Sequence, residues 1–291
     1  MVLNRQIIKD RPNIRNINKN KVKLYVIVSI LFTIFTISLL AKYIAPNDPY
    51  AVNLSNTLQS PSKEYLLGTD SLGRCVYSRV LYGANRTIFS ALIVVIITFI
   101  IGTIIGIISG YMGGKIDSAI MRIVDVFLAF PGLVLAIAVA GLLGGSMVNA
   151  MIAIGLISWT KYARIARSKV LEIKEETFIQ ASRISGHSNT YIMFTHILPN
   201  IFGYLIVTAS LDIGTVIMEM SSLSFLGLSS PLPIPEWGAM ISEGKSVIQF
   251  APWILLAPGL AILIVVILFN LLGDVIRDLL DSKERESFTS R

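Results

Sequence analysis

The side chains best suited to catalysis are few in this sequence and form no recognisable catalytic pattern. The two histidines, His187 and His196, lie in one polar segment; they lack the His-Glu-x-x-His spacing of a zinc site and lie in no apolar segment where they could activate a serine. The stretch 238–246 resembles a phosphate-binding loop, but it has five residues between its glycines instead of four and follows no buried strand. Gly273 and Asp274 would suit an intramembrane aspartyl site, but no second aspartate lies in a matching helix. We therefore expect a chain without an active site, a metal ion or a cofactor of its own.

Two carboxylates, Asp212 and Glu219, lie seven residues apart in an otherwise apolar stretch. That spacing places them on one helix face, and acids inside a bilayer face protein or water because their exposure to hydrocarbon is costly. They are candidates for the wall of a path for a polar solute, and contacts with a neighbouring subunit explain them equally well. Arg122 and Asp125, three residues apart, can pair on one helix face, either as a structural pair at a membrane boundary or as a gate.

The composition is that of a membrane protein. Of 291 residues, 54% are hydrophobic and 15% are charged, and the mean hydropathy is +0.70. Apolar runs of about 18 or more residues with few charges predict membrane-spanning helices, since a helix satisfies its own backbone hydrogen bonds in hydrocarbon. The sequence contains six such runs, at about 24–41, 84–110, 116–143, 147–165, 197–217 and 252–272. The predicted fold class is therefore an all-α membrane protein with six transmembrane helices.

The distribution of charge predicts the topology. The first 23 residues carry seven basic side chains and one acidic residue, Asp10, and positively charged segments remain in the cytoplasm. We expect a cytoplasmic tail over 1–23, a transmembrane domain over 24–280 and a second cytoplasmic tail over 281–291, in the bacterial cytoplasmic membrane. The first span is expected to be a retained anchor. The net charge of +7 then reflects topology and not nucleic-acid binding, and the single cysteine, Cys75, excludes an internal disulfide.

Glycines, prolines and tryptophans predict how the spans pack. Four glycines recur at intervals of four in the second span: Gly102, Gly106, Gly110 and Gly114. This spacing puts them on one helix face, where a neighbouring helix can approach closely. Pro131 should kink or break the third span, and a short separate helix could form over 75–81. Trp237 and Trp253 suit a position at the membrane interface.

A polar segment at about 166–199 separates the fourth and fifth spans and lies in the cytoplasm in the predicted topology. We expect a short helix over 178–184, followed by a turn at Gly186, where glycine allows the required backbone angles. The apolar face of this helix would contain Phe178, Ala181 and Ile184. A second short helix over 191–197 should follow, and Pro199 should open the fifth span, since proline is tolerated in a first helical turn. The segment would be a rigid knob able to transmit a push to a spanning helix; the alternative is a plain loop.

In this segment the sequence resembles the EAA loop of ABC-importer permeases. The matching positions, read as the ATPase-coupling residues, are Gln180, Ala181, Ser182, Gly186, Leu198 and Pro199. Gln180 stands where the family usually has glutamate and Ser182 where it has a second alanine, so a role that needs a carboxylate at 180 does not carry over, whereas the docking shape does. Further motifs resemble the second permease subunit of the dipeptide, oligopeptide and nickel importer family: 67–74 (LGTDSLGR), 78–79 (SR), 224–228 (SFLGL), 236–238 (EWG) and 273–278 (GDVIRD). The resemblance covers about 20–281.

The resemblance implies one subunit of an ATP-driven importer. A sister permease would form the other half of the pore, two ATP-binding subunits would dock on the 166–199 segment and hydrolyse ATP, and an extracytoplasmic binding protein would deliver the substrate. ATP binding would then switch the paired permeases between inward-open and outward-open states.

Three motifs, 178–186, 211–214 and 269–274, look closest to the branch that imports nickel or opine metallophores, with peptide import as the alternative. The apolar segments contain no histidine, and the one cysteine lies outside them. Because nickel prefers imidazole and thiolate ligands, a transported metal would pass already chelated. A hypothesis of a different class is an ion-coupled secondary transporter with Asp212 and Glu219 as relays, which no inverted repeat supports.

Overall fold

The computed structural model describes residues 14–229 and 233–289, with side chains over 18–229 and 233–280. The helices are α1 Ile14–Leu39, α2 Val76–Met112, α3 Gly114–Leu128, α4 Gly132–Leu143, α5 Met147–Ile173, α6 Thr177–Ile184, α7 Asn189–Phe225, α8 Trp237–Gly244 and α9 Trp253–Thr289. Shorter helical turns lie at Ala41–Ile44, Leu54–Asn56 and Lys245–Val247. These ranges contain no strand, so the predicted all-α class is confirmed. Residues 1–13 of the predicted N-terminal tail and 290–291 of the C-terminal tail lie outside the described residues.

Four of the helices are long and apolar enough to cross a membrane: Asn18–Leu39 in α1, α2, α7 and Trp253–Leu280 in α9. A fifth span exists if α3 and α4 count as one broken helix. The remaining predicted span, 147–165, the fourth along the chain, lies in α5, an unbroken helix of 27 residues. Its second half is too polar for the same criterion because it carries Lys161, Arg164 and Arg167. The predicted count of six is therefore not confirmed for the described residues.

The predicted break at Pro131 is confirmed. α3 and α4 meet at an angle of 85°, and Pro131 directly precedes α4 with φ −58° and ψ 121°. Proline has no N–H to donate, and it disfavours helical geometry in the residue before it. α3 therefore ends at Leu128, and the chain resumes as a helix in a new direction.

Helices α2 and α5 make a close contact at three glycines of α2, which are Gly102, Gly106 and Gly110. A Cβ atom on any of them would overlap α5, and on Gly106 it would overlap the carbonyl oxygen of Ala163. The two backbones approach this closely only because no side chain lies between them. The prediction is wrong for Gly114, which lies beyond α2, begins α3 with φ +54° and has no atom within 4 Å of its Cβ position.

The start of α2 lies inside the protein. The predicted separate helix over 75–81 is wrong, because the chain is helical without a break from Val76 to Met112. Val76 and Ser78 are fully buried, and Arg79 is 1% exposed. The first turn of α2 therefore belongs to a packed region that precedes the apolar part of the helix.

The helices have two distinct ends, named the α6 end and, after the topology predicted from the charges, the outer end. At the α6 end, the hydroxyl of Tyr111, late in α2, donates to the side chain of Asn189 at the start of α7 (3.2 Å). Asn20 of α1 donates to Asp278 of α9 at the same end (3.4 Å). The outer end contains the connection 45–75, the end of α7, α8 and the start of α9.

The tryptophans at the outer end fix chain segments in place. Trp237 Nε1 donates to the carbonyl oxygen of Val80 (2.9 Å), and Trp253 Nε1 donates to that of Thr69 (3.1 Å). Trp237 is only 2% exposed. The predicted interfacial position is therefore wrong for Trp237, which packs against α2 inside the protein.

We predict that Gly106→Ala destabilises the protein, whereas Gly259→Ala does not. The added methyl group at 106 would overlap α5, but the Cβ position of Gly259, in α9, has no neighbour within 4 Å. Overpacking of a tight contact costs about 1–3 kcal/mol, whereas alanine in place of an unhindered helical glycine is neutral or stabilising. Thermal unfolding of the detergent-solubilised protein measures both effects. Equal transition temperatures for the two variants would contradict the glycine contact.

Candidate functional site

Helix α6 is fixed to the protein by one face and exposes the other. Ile179 is fully buried and packs in a cluster with Ile197 of α7, and Ser182 is 6% exposed. The face predicted to be apolar points away from the chain, since Phe178 is 41% exposed and Ile184 is 88% exposed. α6 is thus a firmly held helix that presents apolar side chains to the outside.

The turn after α6 is shaped by glycine and by stacked rings. Gly186 has φ +80°, in the left-handed region that glycine adopts without strain, as predicted. The His187 ring stacks on Tyr191, with ring centres 4.5 Å apart, and the His196 ring meets that of Tyr191 edge-on at 5.6 Å. Both histidines therefore pack their rings against the same tyrosine. Within 14–229 and 233–289, no group of His, Cys, Asp and Glu could hold a metal ion.

The two positions that depart from the EAA pattern make local hydrogen bonds. Gln180 Nε2 donates to the carbonyl oxygen of Glu175 (3.1 Å), a bond that an ionised glutamate could not make because it has no N–H. Ser182 Oγ lies 3.2 Å from Nδ1 of His187. Gln180 thus connects α6 to the residues just before it, and Ser182 connects α6 to the turn after it.

The predicted second short helix over 191–197 is wrong. α7 is helical without interruption over 37 residues, and Ile192–Ile197 is a π-helical turn within it. The Leu198 N–H donates to the carbonyl oxygen of Met193, five residues earlier. Pro199, which has no N–H to donate, lies in the first turn of the α-helical part Leu198–Phe225, as predicted, but this part continues the π-helical turn without a break. α6 and its turn are therefore joined to one continuous helix.

Asp212 is a buried carboxylate held by two residues of α5. It is 4% exposed. Its Oδ1 accepts a hydrogen bond from Lys161 Nζ (2.6 Å), and its Oδ2 accepts one from the Tyr162 hydroxyl (2.9 Å). Sequence reasoning missed both partners. The signal that could have found Lys161 was its position inside the fourth apolar run.

Glu219 lies seven residues further along α7, toward the outer end. It is partly buried, borders the exposed residues Thr215 and Met218, and makes no hydrogen bond or ion pair with any residue that the structure describes. The structure does not bring Glu219 and Asp212 into contact with each other. Their place in the wall of a solute path stays a prediction.

The predicted pair of Arg122 and Asp125 is wrong. Asp125 accepts a hydrogen bond from Nη2 of Arg164 (2.7 Å), and Asp117 accepts two from Arg167 (2.5 and 2.6 Å). Both ion pairs join α3 to α5, because α5 runs alongside α3 and brings two guanidinium groups within reach. Arg122 lies on an exposed part of α3.

At the outer end, four charged side chains tie the 67–74 segment and the start of α2 to α8. They are Asp70, Arg74, Arg79 and Glu243. Arg74 pairs with Asp70 and with Glu243, both at 2.6 Å, and Arg79 pairs with Glu243 at 3.0 Å. Charged side chains are buried in this way only when they are paired, because burial of an unpaired charge is energetically costly. Sequence reasoning missed this clamp, because Glu243 lies 169 residues from Arg74.

Glu236 starts α8 in the same region. Its carboxylate accepts hydrogen bonds from the backbone N–H groups of Gly238 and Ala239, both 2.9 Å, and from the Thr87 hydroxyl of α2 (3.1 Å). This N-cap satisfies donors at the start of the helix that have no partner within it. The EWG motif therefore has a structural role at the outer end.

Comparisons with known proteins agree with this architecture. A family described as "Binding-protein-dependent transport system inner membrane component" matches residues 102–286. The chain is 42% identical over 273 residues to a dipeptide transport system permease protein of Alkalihalophilus pseudofirmus, covering 94% of this chain and 90% of that protein. It is 41% identical to a probable D,D-dipeptide transport system permease protein of Escherichia coli strain K12, covering 89% and 85%. It is 45% identical to a glutathione transport system permease protein of Shigella flexneri, covering 89% and 84%.

Among solved structures, inward-facing conformations of the MetNI methionine ABC transporter are similar. One has a TM-score of 0.58 and 18% sequence identity, and the match covers 69% of this chain and 95% of that chain. A second has a TM-score of 0.56 at the same identity. Identity this low shows the fold alone, which is that of an ABC-transporter permease.

We predict that Glu243→Gln loosens the outer end, whereas Glu64→Gln does not. The first change leaves Arg74 and Arg79 with one buried carboxylate between them, and the loss of one partner from a buried ion pair costs about 3–5 kcal/mol. Glu64 is an exposed acid in the same outer connection and serves as the matched control. Limited proteolysis of the 45–75 connection and thermal unfolding are the measurements. Cleavage at the wild-type rate in the Glu243 variant would argue against the clamp.

Proposed function

Since this chain belongs to the family of binding-protein-dependent transport system inner membrane components, we propose that it is the permease through which an ATP-driven importer takes up short peptides. Family membership makes it a multi-pass permease subunit of an ABC importer in the inner membrane. The observation that supports the substrate is the 42% identity, over 94% of the chain, to a protein named for dipeptide transport. The names of the other relatives, D,D-dipeptide and glutathione permeases, point the same way.

The predicted nickel or opine-metallophore branch has no support in these names, so peptide import, the alternative at the sequence level, becomes the main proposal. In this proposal the substrate passes as an intact polar solute, and no covalent chemistry takes place in this chain.

In this proposal α6 receives the ATP-binding subunits, which bind and hydrolyse ATP. Its inner face is fixed through Ile179, and its exposed residues Phe178 and Ile184 supply apolar surface for a partner. Because α7 continues from the following turn without a break, a displacement of α6 moves a spanning helix. The proposed coupling residues lie in or beside this element: Gln180, Ala181, Ser182, Gly186, Leu198 and Pro199.

We place the α6 end in the cytoplasm, together with both tails. The 161–195 region carries six basic and three acidic residues, as the positive-inside rule expects of a cytoplasmic segment. The contact of Asn20 with Asp278 puts the start of α1 and the end of α9 at this same end. A sister permease would complete the pore, and an extracytoplasmic binding protein would deliver peptides to the outer end.

We predict that Ile184→Asp separates the permease from its ATP-binding subunits, whereas Leu54→Asp does not. Ile184 is 88% exposed, and Leu54, in a turn of the outer connection, is 71% exposed. Neither change disturbs the folded chain, and only the first places a charge in the proposed docking surface. Co-purification of the ATP-binding subunits and transport-coupled ATP hydrolysis are the measurements.

A second variant tests the turn beside this surface. The Cβ position of Gly186 has no neighbour within 4 Å, but a valine there would strain the backbone, which has φ +80°. Gly186→Val should therefore abolish uptake while membrane insertion stays intact. Co-purification of the Ile184 variant at the wild-type level, together with normal uptake by the Gly186 variant, would refute the docking role of α6.

We predict that the complete transporter restores uptake of labelled di- and tripeptides to a strain that lacks its other peptide importers. Uptake should continue when the proton gradient is collapsed while ATP stays high, because ATP drives the cycle. Labelled nickel, with and without a chelator, is the matched comparison and should not accumulate. Accumulation of chelated nickel alone would favour the metallophore branch, and peptide uptake that stops with the gradient would favour an ion-coupled transporter.

A further inference from the structure

Lys161 places an exposed ammonium group at the middle of a spanning helix. Its partner Asp212 lies midway along the Leu198–Phe225 part of α7, and the 2.6 Å ion pair puts the lysine at the same depth. The Lys161 side chain is 46% exposed, whereas that of Asp212 is 5% exposed. An ammonium group has three N–H donors, so the bond to Asp212 leaves donors for a further partner.

This face of the protein cannot lie against lipid tails. Charged side chains at mid-bilayer depth face protein or water because hydrocarbon excludes them. Three residues along α5, Arg164 and Asp125 form a second pair on the exposed side, with side chains 54% and 66% exposed. The exposed face of α5 and α7 therefore borders a water-filled path or a partner.

The charges on this face do not balance. Lys161 carries one positive charge, and Asp212 and Glu219 carry one negative charge each. Asp212 is satisfied by Lys161 and by the Tyr162 hydroxyl. Glu219 is partly buried beside exposed Thr215, and it has no hydrogen-bond or ion-pair partner among the described residues. An additional cationic group would balance it.

The spacing fits a small molecule with a positive group at one end and a negative group at the other. The levels of Asp212 and Glu219 differ by seven residues, which is about 10 Å along a helix. An extended peptide spans about 3.3–3.6 Å per residue. An extended peptide of three residues, about 10–11 Å long, is therefore long enough to place its ammonium group at Glu219 and its carboxylate at Lys161.

We propose that Lys161 and Glu219 are the two charged contacts of a binding site for a short zwitterionic peptide within the permease itself. Glu219 accepts hydrogen bonds from the peptide ammonium group, and Lys161 donates to the peptide carboxylate. Asp212 and Tyr162 are positioning residues that hold the lysine at this depth. The site rests on the proposed peptide import and adds to it the residues that recognise the two peptide termini.

The test compares three ligands in liposomes that contain the complete transporter with its binding protein: trialanine, N-acetyl-trialanine and trialanine amide. The same binding protein serves every variant, so a change in the ratio of uptake rates between two ligands reports the permease. Glu219→Gln should lower the preference for trialanine over the N-acetyl form about tenfold, the effect of losing one hydrogen bond to a charged group. Lys161→Met should lower the preference for trialanine over the amide by a similar factor.

The controls separate the site from general effects of charge. Glu219→Asp, which keeps the carboxylate, should retain the preference for a free ammonium group. Glu64→Gln and Lys42→Met change exposed charges elsewhere and should leave both ratios unaltered. Because loss of Lys161 leaves Asp212 unpaired, Lys161→Met is also made together with Asp212→Asn, which restores neutrality in the buried position.

Two results would overturn the site. One is unaltered ratios in the Glu219→Gln and Lys161→Met variants of a transporter that imports trialanine. The other is failure of both Glu219 variants to assemble with the sister permease, which would make this face a subunit contact. Absence of peptide uptake by the wild-type transporter would instead overturn the proposed function, and the site with it.

Discussion

Direct contact between the backbones of α2 and α5 positions the charged parts of this protein. Lipid supplies little hydrophobic driving force for helix association, so close packing and polar contacts hold membrane helices together. At Gly102 and Gly106 the two helices meet without an intervening side chain, and Tyr162 on the α5 side is fully buried. Because this contact sets the rotation of α5 about its own axis, it also sets the directions of the other side chains of α5. Lys161 then points toward α7 and Arg164 toward α3.

The ion pairs then determine how the remaining elements are arranged around α5. A buried pair adds little net stability, because removing both charges from water costs about as much as their attraction returns. An unpaired buried charge, by contrast, is strongly unfavourable. A helix shifted from its place would leave Asp212 in α7, or Glu243 in α8, without its partner. These ion pairs therefore favour one arrangement of the helices over others, while they add little to the stability of the folded protein.

The features that depend on neighbouring residues could be predicted from the sequence. The break at Pro131 and the turn at Gly186 follow from the backbone properties of single residues, and the glycine contact of α2 follows from a spacing of four. Features that depend on distant residues could not be predicted in this way. The partner of Asp212 lies 51 residues away and that of Asp125 lies 39 residues away.

Local spacing alone suggested a wrong partner for Asp125, because only residues in the same helix can be compared before the fold is known. The π-helical turn at Ile192–Ile197 was missed for a related reason. No residue type marks it, and it arises where the buried side chains Ile192 and Ile197 pack beneath α6. The polar half of α5 was taken for the end of a span, although Lys161, Arg164 and Arg167 are each paired with an acid on α3 or α7.

The proposed docking element and the proposed solute contacts belong to the same two helices. α6 and its flanking turns are all that separates the end of α5 from the start of α7, and the pair of Lys161 with Asp212 joins α5 to α7 again deeper in the bundle. Asp212 lies 23 residues after Asn189, which is about 35 Å along a helix. Because a helix is stiff, a tilt imposed at α6 changes the position of Asp212 relative to α5. The same displacement that a partner imposes on α6 would therefore move the ammonium group of Lys161 relative to Glu219.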